Sequence, residues 1–459
     1  MDFLQLIYSV GAFVVAIGIL VTVHEFGHYY VARKAGVRVL RFSVGFGKPL
    51  WMRRAGPDKT EYVVAAIPLG GYVKMLDERE GEVDPQELHR AFNRQTVAKR
   101  FAIVSAGPMF NFLFAVVAYS LMYVNGVSGI KPYIGAIEPG GVAQTAGARD
   151  RDLVLSVNGV ITPSWEKARL HMLDRAVDGE PLRLEVQGDD LMLRQLLLDI
   201  GDRSVLQDDQ IDILQILGFD VWRPRIPPLI EEVMPGGAAE AAGVLAGDEV
   251  VALDGVRIEG VRQWVDLVRA NPGKILTLEV ERGGQPVELQ ITPREQFDDG
   301  QRIGVIGVRN LVVVPPEVRD ELSVVEQYGL LSAVGEGVNK TAQMSWLTLK
   351  VLGKLLIGEA SLKNLSGPIT IAKYAGLSAQ IGLEQFFSFL AIISISLGVL
   401  NLLPIPMLDG GHLMYYLVEI IKGSPVSAAV EDAGQRVGMA LLLLLMSIAL
   451  YNDFLRLVE

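Results

Sequence analysis

Four strongly apolar blocks constrain this chain more than any other feature, because each is long enough to suggest a membrane-spanning helix. They cover residues 4–30, 101–123, 386–403 and 437–451. A helix needs about 20 mainly apolar residues to cross the hydrocarbon core of a bilayer, so the fourth block needs its flanks to complete a crossing. The hydrophobic fraction is 50% and the mean hydropathy is +0.33, an excess concentrated in these blocks. We therefore predict a multi-pass α-helical membrane protein with four transmembrane helices.

The distribution of basic residues predicts how these helices are oriented. Residues 31–100 contain fourteen lysines and arginines, whereas none precedes the first apolar block. Cytoplasmic loops of membrane proteins are enriched in Lys and Arg, which predicts a cytoplasmic 31–100 segment and an external N-terminus. The long 124–385 segment then also lies outside. The lack of basic residues in positions 1–8 argues against a cleaved signal peptide and favours a retained membrane helix.

The external segment contains an internal repeat. Residues 134–162, IGAIEPGGVAQTAGARDRDLVLSVNGVIT, match residues 230–258, IEEVMPGGAAEAAGVLAGDEVVALDGVRI, at an offset of 96 positions. In each copy an Asn-Gly or Asp-Gly pair, at 158–159 and 254–255, separates apolar alternations typical of β-hairpins. The pattern resembles PDZ domains of the kind found in bacterial envelope proteases. We therefore predict two tandem periplasmic PDZ domains, each a β-rich α+β fold.

Two further segments are predicted to lie beside the membrane. Residues 39–75 contain strand-like stretches punctuated by glycine and proline, which predicts a membrane-associated β-region. Residues 340–357 have apolar residues at helical spacing, with three lysines, which favours an interfacial amphipathic helix over a fifth span. The predicted organisation is an N-terminal membrane core (1–123), two β-domains (124–222 and 223–310), a linker with the amphipathic helix (311–385) and a C-terminal membrane core (386–459).

The composition excludes several kinds of chemistry. The chain has no cysteine, so disulfides, cysteine nucleophiles and thiolate metal sites are excluded. The formal net charge is −11 and nothing in the sequence resembles a basic nucleic-acid-binding face. We expect the lipid bilayer, and no nucleic acid, among the partners.

The first apolar block ends in LVTVHEFGHYYVARKAG, which carries two histidines and a glutamate into a membrane helix. His24 and His28 are four residues apart, so their side chains differ by about 40° around a helix and share a face. This H-E-x-x-H spacing lets two imidazoles hold a zinc ion while Glu25 reaches a water bound to it. The alternative is that these residues only mark the helix end among lipid headgroups. The cost of charge within a membrane helix favours a functional role.

A catalytic zinc usually has three protein ligands, so a second polar membrane segment is needed. Residues 397–416, LGVLNLLPIPMLDGGHLMYY, fit this requirement. Asn401 and two prolines interrupt the apolar run, and irregular backbone at membrane depth is tolerated only where protein or water covers it. By the predicted topology this span ends on the same side as the two histidines. Asp409 and His412 share a helix face, and spacing alone leaves either as the third ligand.

This combination of motifs resembles the site-2 proteases, a family of intramembrane zinc metalloproteases, over essentially the whole chain. HEFGH at 24–28 corresponds to the family's H-E-x-x-H. NLLP at 401–404, followed by LDG at 408–410, corresponds to its N-x-x-P…L-D-G motif. GFG at 45–47 resembles the G-x-G of the membrane-associated β-region, and Gly107, Pro108 and Asn111 resemble the G-P-x-x-N of the second span.

The resemblance implies a zinc metalloendopeptidase that cuts within transmembrane segments. It selects Asp409 over His412 as the third ligand of Zn²⁺. The implied site residues are the metal ligands His24, His28 and Asp409, the catalytic base Glu25, and the substrate-binding residues Asn401, Gly45 and Gly47. In this reading the β-region pairs with an unwound substrate, and the amide of Asn401 binds its freed backbone groups.

The resemblance also implies partners and a location. It implies a protein of the bacterial inner membrane with its active site near the cytoplasmic side. Substrates are single-span membrane proteins: an anti-sigma factor after a first cleavage, in envelope-stress signalling, and signal-peptide remnants. The PDZ domains either capture a new C-terminal carboxylate or act as a steric filter. The alternative function is a non-catalytic membrane receptor that uses its PDZ domains to bind envelope proteins, against which the intact metal motif and general base argue.

Overall fold

The computed structural model describes residues 3–201, 206, 212–224, 226, 228–298, 301–311 and 314–458. Its helices are α1 Phe3–Lys34, α2 Val97–Asn125, α3 Val142–Thr145, α4 Trp165–Val177, α5 Ile213–Leu217, α6 Ala238–Ala241, α7 Val261–Arg269, α8 Pro316–Leu322, α9 Leu330–Leu356, α10 Pro368–Ile381, α11 Leu383–Leu402, α12 Asp409–Lys422 and α13 Ala428–Val458. Its strands are β1 Val39–Ala55, β2 Thr60–Met75, β3 Val127–Ile130, β4 Ile134–Ile137, β5 Leu153–Val157, β6 Val160–Ile161, β7 Leu182–Gln187, β8 Leu193–Leu198, β9 Phe219–Val221, β10 Leu229–Val233, β11 Glu249–Leu253, β12 Val256–Arg257, β13 Leu276–Arg282, β14 Gln285–Ile291, β15 Arg294–Asp298, β16 Gln301–Val305, β17 Val308–Leu311 and β18 Ser323–Glu326. The predicted boundaries at residues 1 and 459 lie outside the described residues.

Among these elements, four helices are long and apolar enough to cross a membrane, as predicted. The candidate spans are Ile7–Lys34, Val97–Asn125, Leu383–Leu402 and Ala428–Leu457. The fourth is much longer than the apolar run that predicted it, because its flanks continue the helix. α2 is the central helix and packs against α1, α9, α11 and α12. Its buried positions include small residues that let neighbouring helices approach closely: Ala106, Gly107, Ala115 and Ala118.

The predicted β-region is one long hairpin of β1 and β2 that packs against α1. Both strands bend, so Arg41 lies opposite Lys74 on one side and Glu61 on the other. Each long strand therefore contributes two segments to the sheet, in the order 49–55, 60–65, 41–44 and 71–75. The first half of β1 is central, and the free edges are residues 71–75 of β2 and 49–55 of β1. Arg41 joins the bent strands further, because its guanidinium donates to Glu61 at 2.6 Å.

The segment between α2 and α9 enters and leaves through a two-stranded ribbon in which β3 pairs with β18. Between these strands the repeat folds twice into the same order of elements. The elements α3, β5, β6 and α4 begin at 142, 153, 160 and 165, and α6, β11, β12 and α7 begin 96 positions later, at 238, 249, 256 and 261. Each unit has its own hydrophobic core, one that includes Trp165 and one that includes Trp264.

The Asn-Gly and Asp-Gly pairs form the predicted hairpin turns. Asn158 and Asp254 have φ angles of 47° and 50°, and the glycine after each is also at positive φ. These are the conformations that a tight two-residue hairpin turn requires. Each side chain also accepts a hydrogen bond from the neighbouring strand, from the N–H of Arg183 in the first unit and of Thr277 in the second.

The predicted amphipathic helix is α9, which begins at Leu330 and is not among the candidate spans of the described chain. It packs against α4 of the first repeated unit. Leu347 shares a small hydrophobic cluster with α4, and Lys350 binds the carboxylates of Asp174 and Asp178 at 2.8 and 2.6 Å. Because α9 also packs on α2, it links the first unit to the membrane core.

Candidate metal centre

The imidazoles of His24 and His28 meet the carboxylate of Asp409 at one point. The two Nε2 atoms are 3.2 Å apart. Asp409 Oδ2 lies 3.2 Å from His24 Nε2 and 3.4 Å from His28 Nε2. Within the described chain, these three residues form the one cluster of His, Asp and Glu side chains that converges closely enough to hold a metal ion.

The spacing of the three ligand atoms fits zinc. Tetrahedral bonds of about 2.0–2.1 Å place neighbouring ligand atoms about 3.3 Å apart. The observed separations are 3.2–3.4 Å. In addition, Asp409 Oδ2 is buried and makes no hydrogen bond of normal geometry to any described residue. A buried carboxylate oxygen without such a partner is costly, and a bound cation satisfies it.

A tight turn after α11 brings Asp409 to the histidines. A Cβ at Gly410 would overlap the carbonyl oxygen of Leu403, and a Cβ at Gly411 would lie 2.6 Å from that of Ile405. The first turn of α12 packs directly on the preceding chain only because both positions are glycine. Met407 has a φ of 88°, a left-handed conformation that a bulky residue rarely adopts. The backbone is therefore strained two residues before Asp409.

Helix α2 contacts both histidines from the other side. The carbonyl oxygen of Ile103 lies 2.9 Å from His28 Nδ1, so Nδ1–H donates to it and Nε2 keeps its lone pair for a metal. A Cβ at Gly107 would overlap His28 Nε2 and lie 2.8 Å from His24 Nε2. Gly107 thus leaves the space that the imidazoles occupy. The role of Ile103 was not predicted from the sequence, because a backbone carbonyl carries no sequence signal.

Glu25 lies between this centre and the β-hairpin. Its carboxylate interacts electrostatically with all three ligand side chains. A Cβ at Gly71 would lie 3.0 Å from Glu25 Cγ and 2.6 Å from the carbonyl oxygen of Ser43. The free edge at 71–75 therefore starts directly beside Glu25. Gly71 was not predicted as a site residue, although a glycine pair inside a strand signals close approach of another group.

The three residues predicted to bind substrate lie in the hairpin and at the end of α11. Gly45 and Gly47 have φ angles of 94° and 88°. A Cβ at Gly45 would lie 2.9 Å from the carbonyl oxygen of Ile67, so this glycine permits the close pairing of β1 and β2. Asn401 is half-buried in the last turns of α11, and its side chain has no hydrogen-bond partner among the described residues.

The remaining histidines are not part of the converging cluster. His412 is exposed and its ring contacts Tyr415. His171 lies on α4, where its Nδ1 is 3.2 Å from Gln343 Nε2. Burial lowers the pKa of the His171 imidazole, because the charged form loses solvation. His89 lies in a short 3₁₀ turn, Leu88–Arg90.

Comparisons with known proteins agree on one family. The model of peptidase family M50 matches residues 12–445. The regulator of sigma-E protease RseP of Escherichia coli strain K12 is 46% identical over 458 residues, which cover 99% of this chain and 100% of that protein. Protease RseP of Yersinia pestis is 46% identical over 456 residues, 99% of this chain and 100% of the relative. A Vibrio cholerae relative whose name describes a zinc metalloprotease is 41% identical over 456 residues, again 99% and 100%.

Proposed function

Because the chain belongs to peptidase family M50, the zinc-dependent intramembrane proteases, we propose that it hydrolyses peptide bonds within the transmembrane segments of single-span membrane proteins. The observation that carries this proposal is the convergence of His24, His28 and Asp409 beside Glu25. Three protein ligands leave one zinc position open, which is the arrangement of catalytic rather than structural sites. A non-catalytic receptor needs neither an open metal position nor an adjacent carboxylate.

In the proposed mechanism, His24, His28 and Asp409 would hold the zinc ion. When bound, zinc would lower the pKa of its water to near 7 and would polarise the scissile carbonyl. Glu25 accepts the proton of the attacking water and then delivers it to the leaving amine. Its position next to the ligands supports this role, because a general base must lie within hydrogen-bond reach of the proton that it removes.

We assign substrate binding to the hairpin edge and to Asn401. A helical peptide bond is hydrogen-bonded and shielded, so a substrate helix must unwind before cleavage. Pairing of the unwound segment with the edge at 71–75 would carry its peptide bonds past Glu25. The free amide of Asn401 is suited to bind backbone groups that unwinding exposes. Gly45 and Gly47 contribute by allowing the hairpin to bend.

We further assign the two repeated units to the periplasm, as PDZ domains, and the metal centre to the cytoplasmic side of the inner membrane. The basic residues of the 31–100 segment support this orientation. The end of α1 agrees, since Arg33 and Lys34 occupy its last turn, about one turn beyond His28.

We propose that the substrate is an anti-sigma factor, shortened by a first protease during envelope-stress signalling. The name of the Escherichia coli relative, regulator of sigma-E protease, supports a role in sigma-factor control. Signal-peptide remnants are the second substrate class, because they are also single apolar helices with little mass outside the membrane. The link between the first unit and α9 supports a steric filter, since domains fixed above the core exclude bulky external segments. Capture of new C-terminal carboxylates is the second role for the PDZ domains.

The test uses the full chain in liposomes with a single-span substrate that has a short external segment. Wild type and Glu25→Gln are both expected to bind about one zinc per chain, while cleavage by the variant falls by about 10²–10⁴-fold. Glu82→Gln, at an exposed position of the 31–100 segment, is the control and should cleave normally. Retained cleavage by Glu25→Gln would remove this residue from the mechanism. If the wild-type protein binds no zinc, the assignment of the metal centre is wrong.

A further inference from the structure

One face of α2 carries three positions that meet the two histidines. Residues 103, 107 and 111 are spaced by four and so lie on the same side of the helix. Ile103 contributes its carbonyl oxygen to His28, and Gly107 leaves room for both rings. Asn111 completes the row, because its amide Nδ2 lies 3.1 Å from His24 Nδ1. The two histidines therefore have separate partners on one neighbouring helix.

Asn111 is fully buried, and its Oδ1 has no hydrogen-bond partner among the described residues. A histidine that binds a metal through Nε2 must carry its proton on Nδ1, so Nδ1 is then a hydrogen-bond donor. An NH₂ group facing that nitrogen would set two donors against each other. The oxygen and nitrogen of a side-chain amide exchange places by a rotation of the terminal group, with little change in shape. Only the rotated amide is compatible with metal binding by His24.

We propose that Asn111 is a positioning residue of the metal centre, in which Asn111 Oδ1 accepts a hydrogen bond from His24 Nδ1–H. This bond fixes the tautomer and orientation of His24, as the carbonyl of Ile103 does for His28. The inference rests on the proposed zinc site and extends it to a residue that contacts no metal. It also gives a chemical reason for a polar amide inside an apolar helix.

The backbone at Asn111 is held from a third helix. The hydroxyl of Ser394, fully buried on α11, donates to the carbonyl oxygen of Asn111 at 2.9 Å. One turn further along α11, a Cβ at Gly398 would lie 3.0 Å from the ring of Phe112, so the helices are in close contact here. α11 leads into the turn that supplies Asp409. The same helix thus positions both the third ligand and the residue that orients His24.

The alternative role for Asn111 is structural: a buried asparagine can make a polar contact that only holds helices together. The two roles predict opposite responses to a pair of substitutions. If Asn111 orients His24, Asn111→Asp keeps an oxygen acceptor and keeps zinc, whereas Asn111→Leu removes the acceptor and loses zinc. If the residue only packs, Leu is tolerated in the apolar interior and Asp is harmful, because it buries a charge.

The experiment measures zinc affinity by chelator competition on the full chain in detergent, together with the thermal midpoint of zinc-free and zinc-loaded protein. Asn111→Leu is expected to weaken zinc binding by about 10–100-fold, the usual cost of losing an outer partner of a ligand. The thermal midpoint of the zinc-free variant should equal that of the zinc-free wild type. Addition of zinc should then raise the Tm of the variant by less than it raises the Tm of the wild type. Asn111→Asp keeps wild-type affinity. Asn111→Ala, which adds no bulk, gives the same test if leucine prevents folding.

Ser105→Leu is the matched control, since Ser105 lies on the same helix and bonds only locally, to the carbonyl of Ala102. It should leave zinc affinity unchanged. Wild-type affinity in both Asn111→Leu and Asn111→Ala would overturn the proposal. So would weak zinc binding by Asn111→Asp alongside normal binding by Asn111→Leu. If wild type itself binds no zinc, the metal centre fails, which is a different result from failure of Asn111 alone.

Discussion

Asp409 Oδ2 lies 3.2 Å from His24 Nε2, although the two residues belong to α12 and α1, near opposite ends of the chain. The helix α2 joins the two elements, because it packs against both α1 and α12. α1 packs on α2, α2 packs on α11, and the turn after α11 returns Asp409 to α1. The metal centre therefore depends on the packing of the membrane helices, and any change that separates them opens it.

Asp409→Asn should weaken zinc affinity by more than about 100-fold. This is more than the cost of removing an outer partner of a ligand, because Asp409 is itself a ligand. The amide is a neutral and weaker ligand, so two imidazoles alone must hold the metal. His412→Ala is the control, because His412 lies three residues away and is exposed. Metal analysis after dialysis against a chelator measures both. Equal zinc retention in the two variants would contradict the assignment of Asp409.

Gly71→Ala should reduce the rate of cleavage while zinc content remains at one per chain. Its new Cβ meets the carbonyl oxygen of Ser43 at 2.6 Å and Glu25 Cγ at 3.0 Å, so the hairpin edge must move away from the base. A displacement of about 1 Å at a reacting group can cost on the order of 100-fold in rate. Gly18→Ala adds a methyl group to α1 where no atom lies within 4 Å, and should cleave normally. A normal rate for Gly71→Ala would separate the hairpin edge from catalysis.

Replacing residues 131–322 with a short flexible linker should abolish discrimination against substrates with bulky external domains. The paired strands β3 and β18 remain, so the ends of α2 and the start of α9 stay connected. We expect zinc content and cleavage of a short-tailed substrate to match wild type. The measurement compares cleavage rates for substrates with and without a folded external domain. Unchanged preference for the short tail would exclude the steric filter.

Asp248→Asn should destabilise the second repeated unit by about 1–3 kcal/mol, because Arg282 loses its carboxylate partner. Asp248 is fully buried and accepts from Arg282 Nε at 2.7 Å and from the N–H of Leu245 at 2.9 Å. Hydrogen exchange of peptides from residues 228–298 measures the change. Asp152, the equivalent residue, pairs with Arg194, so Asp152→Asn should affect only the first unit. Loss of protection in both units from either substitution would contradict their independence.

The same carboxylate makes the second unit sensitive to acid. Burial raises the pKa of Asp248, but the hydrogen bonds from Arg282 and Leu245 outweigh it and hold the pKa below its ordinary value. The folded state thus binds this proton less readily than the unfolded state. The resulting stability is full above the unfolded pKa of about 3.9 and falls as pH drops toward the folded pKa. Protection of wild type should decline below pH ~4 more steeply than that of Asp248→Asn, and parallel declines would refute the assignment.

Much of the fold follows from local patterns. The apolar blocks predicted the four helices, and the offset of the repeat predicted two units whose elements begin 96 positions apart. The turn pairs at 158–159 and 254–255 formed the expected hairpins. These features are local because helix period, strand alternation and turn conformation depend on residues a few positions apart.

The sequence also determined that His24 and His28 share a face, since a helix turns by a fixed angle per residue. It did not determine which side chain meets them: by spacing, Asp409 and His412 were equivalent, and a family resemblance chose between them. The tertiary structure brings Asp409 to the histidines, exposes His412, and adds Ile103, Gly71 and Asn111 to their surroundings. These contacts join segments far apart in the chain, and they depend on how closely backbones approach at a few glycines, which no local periodicity encodes.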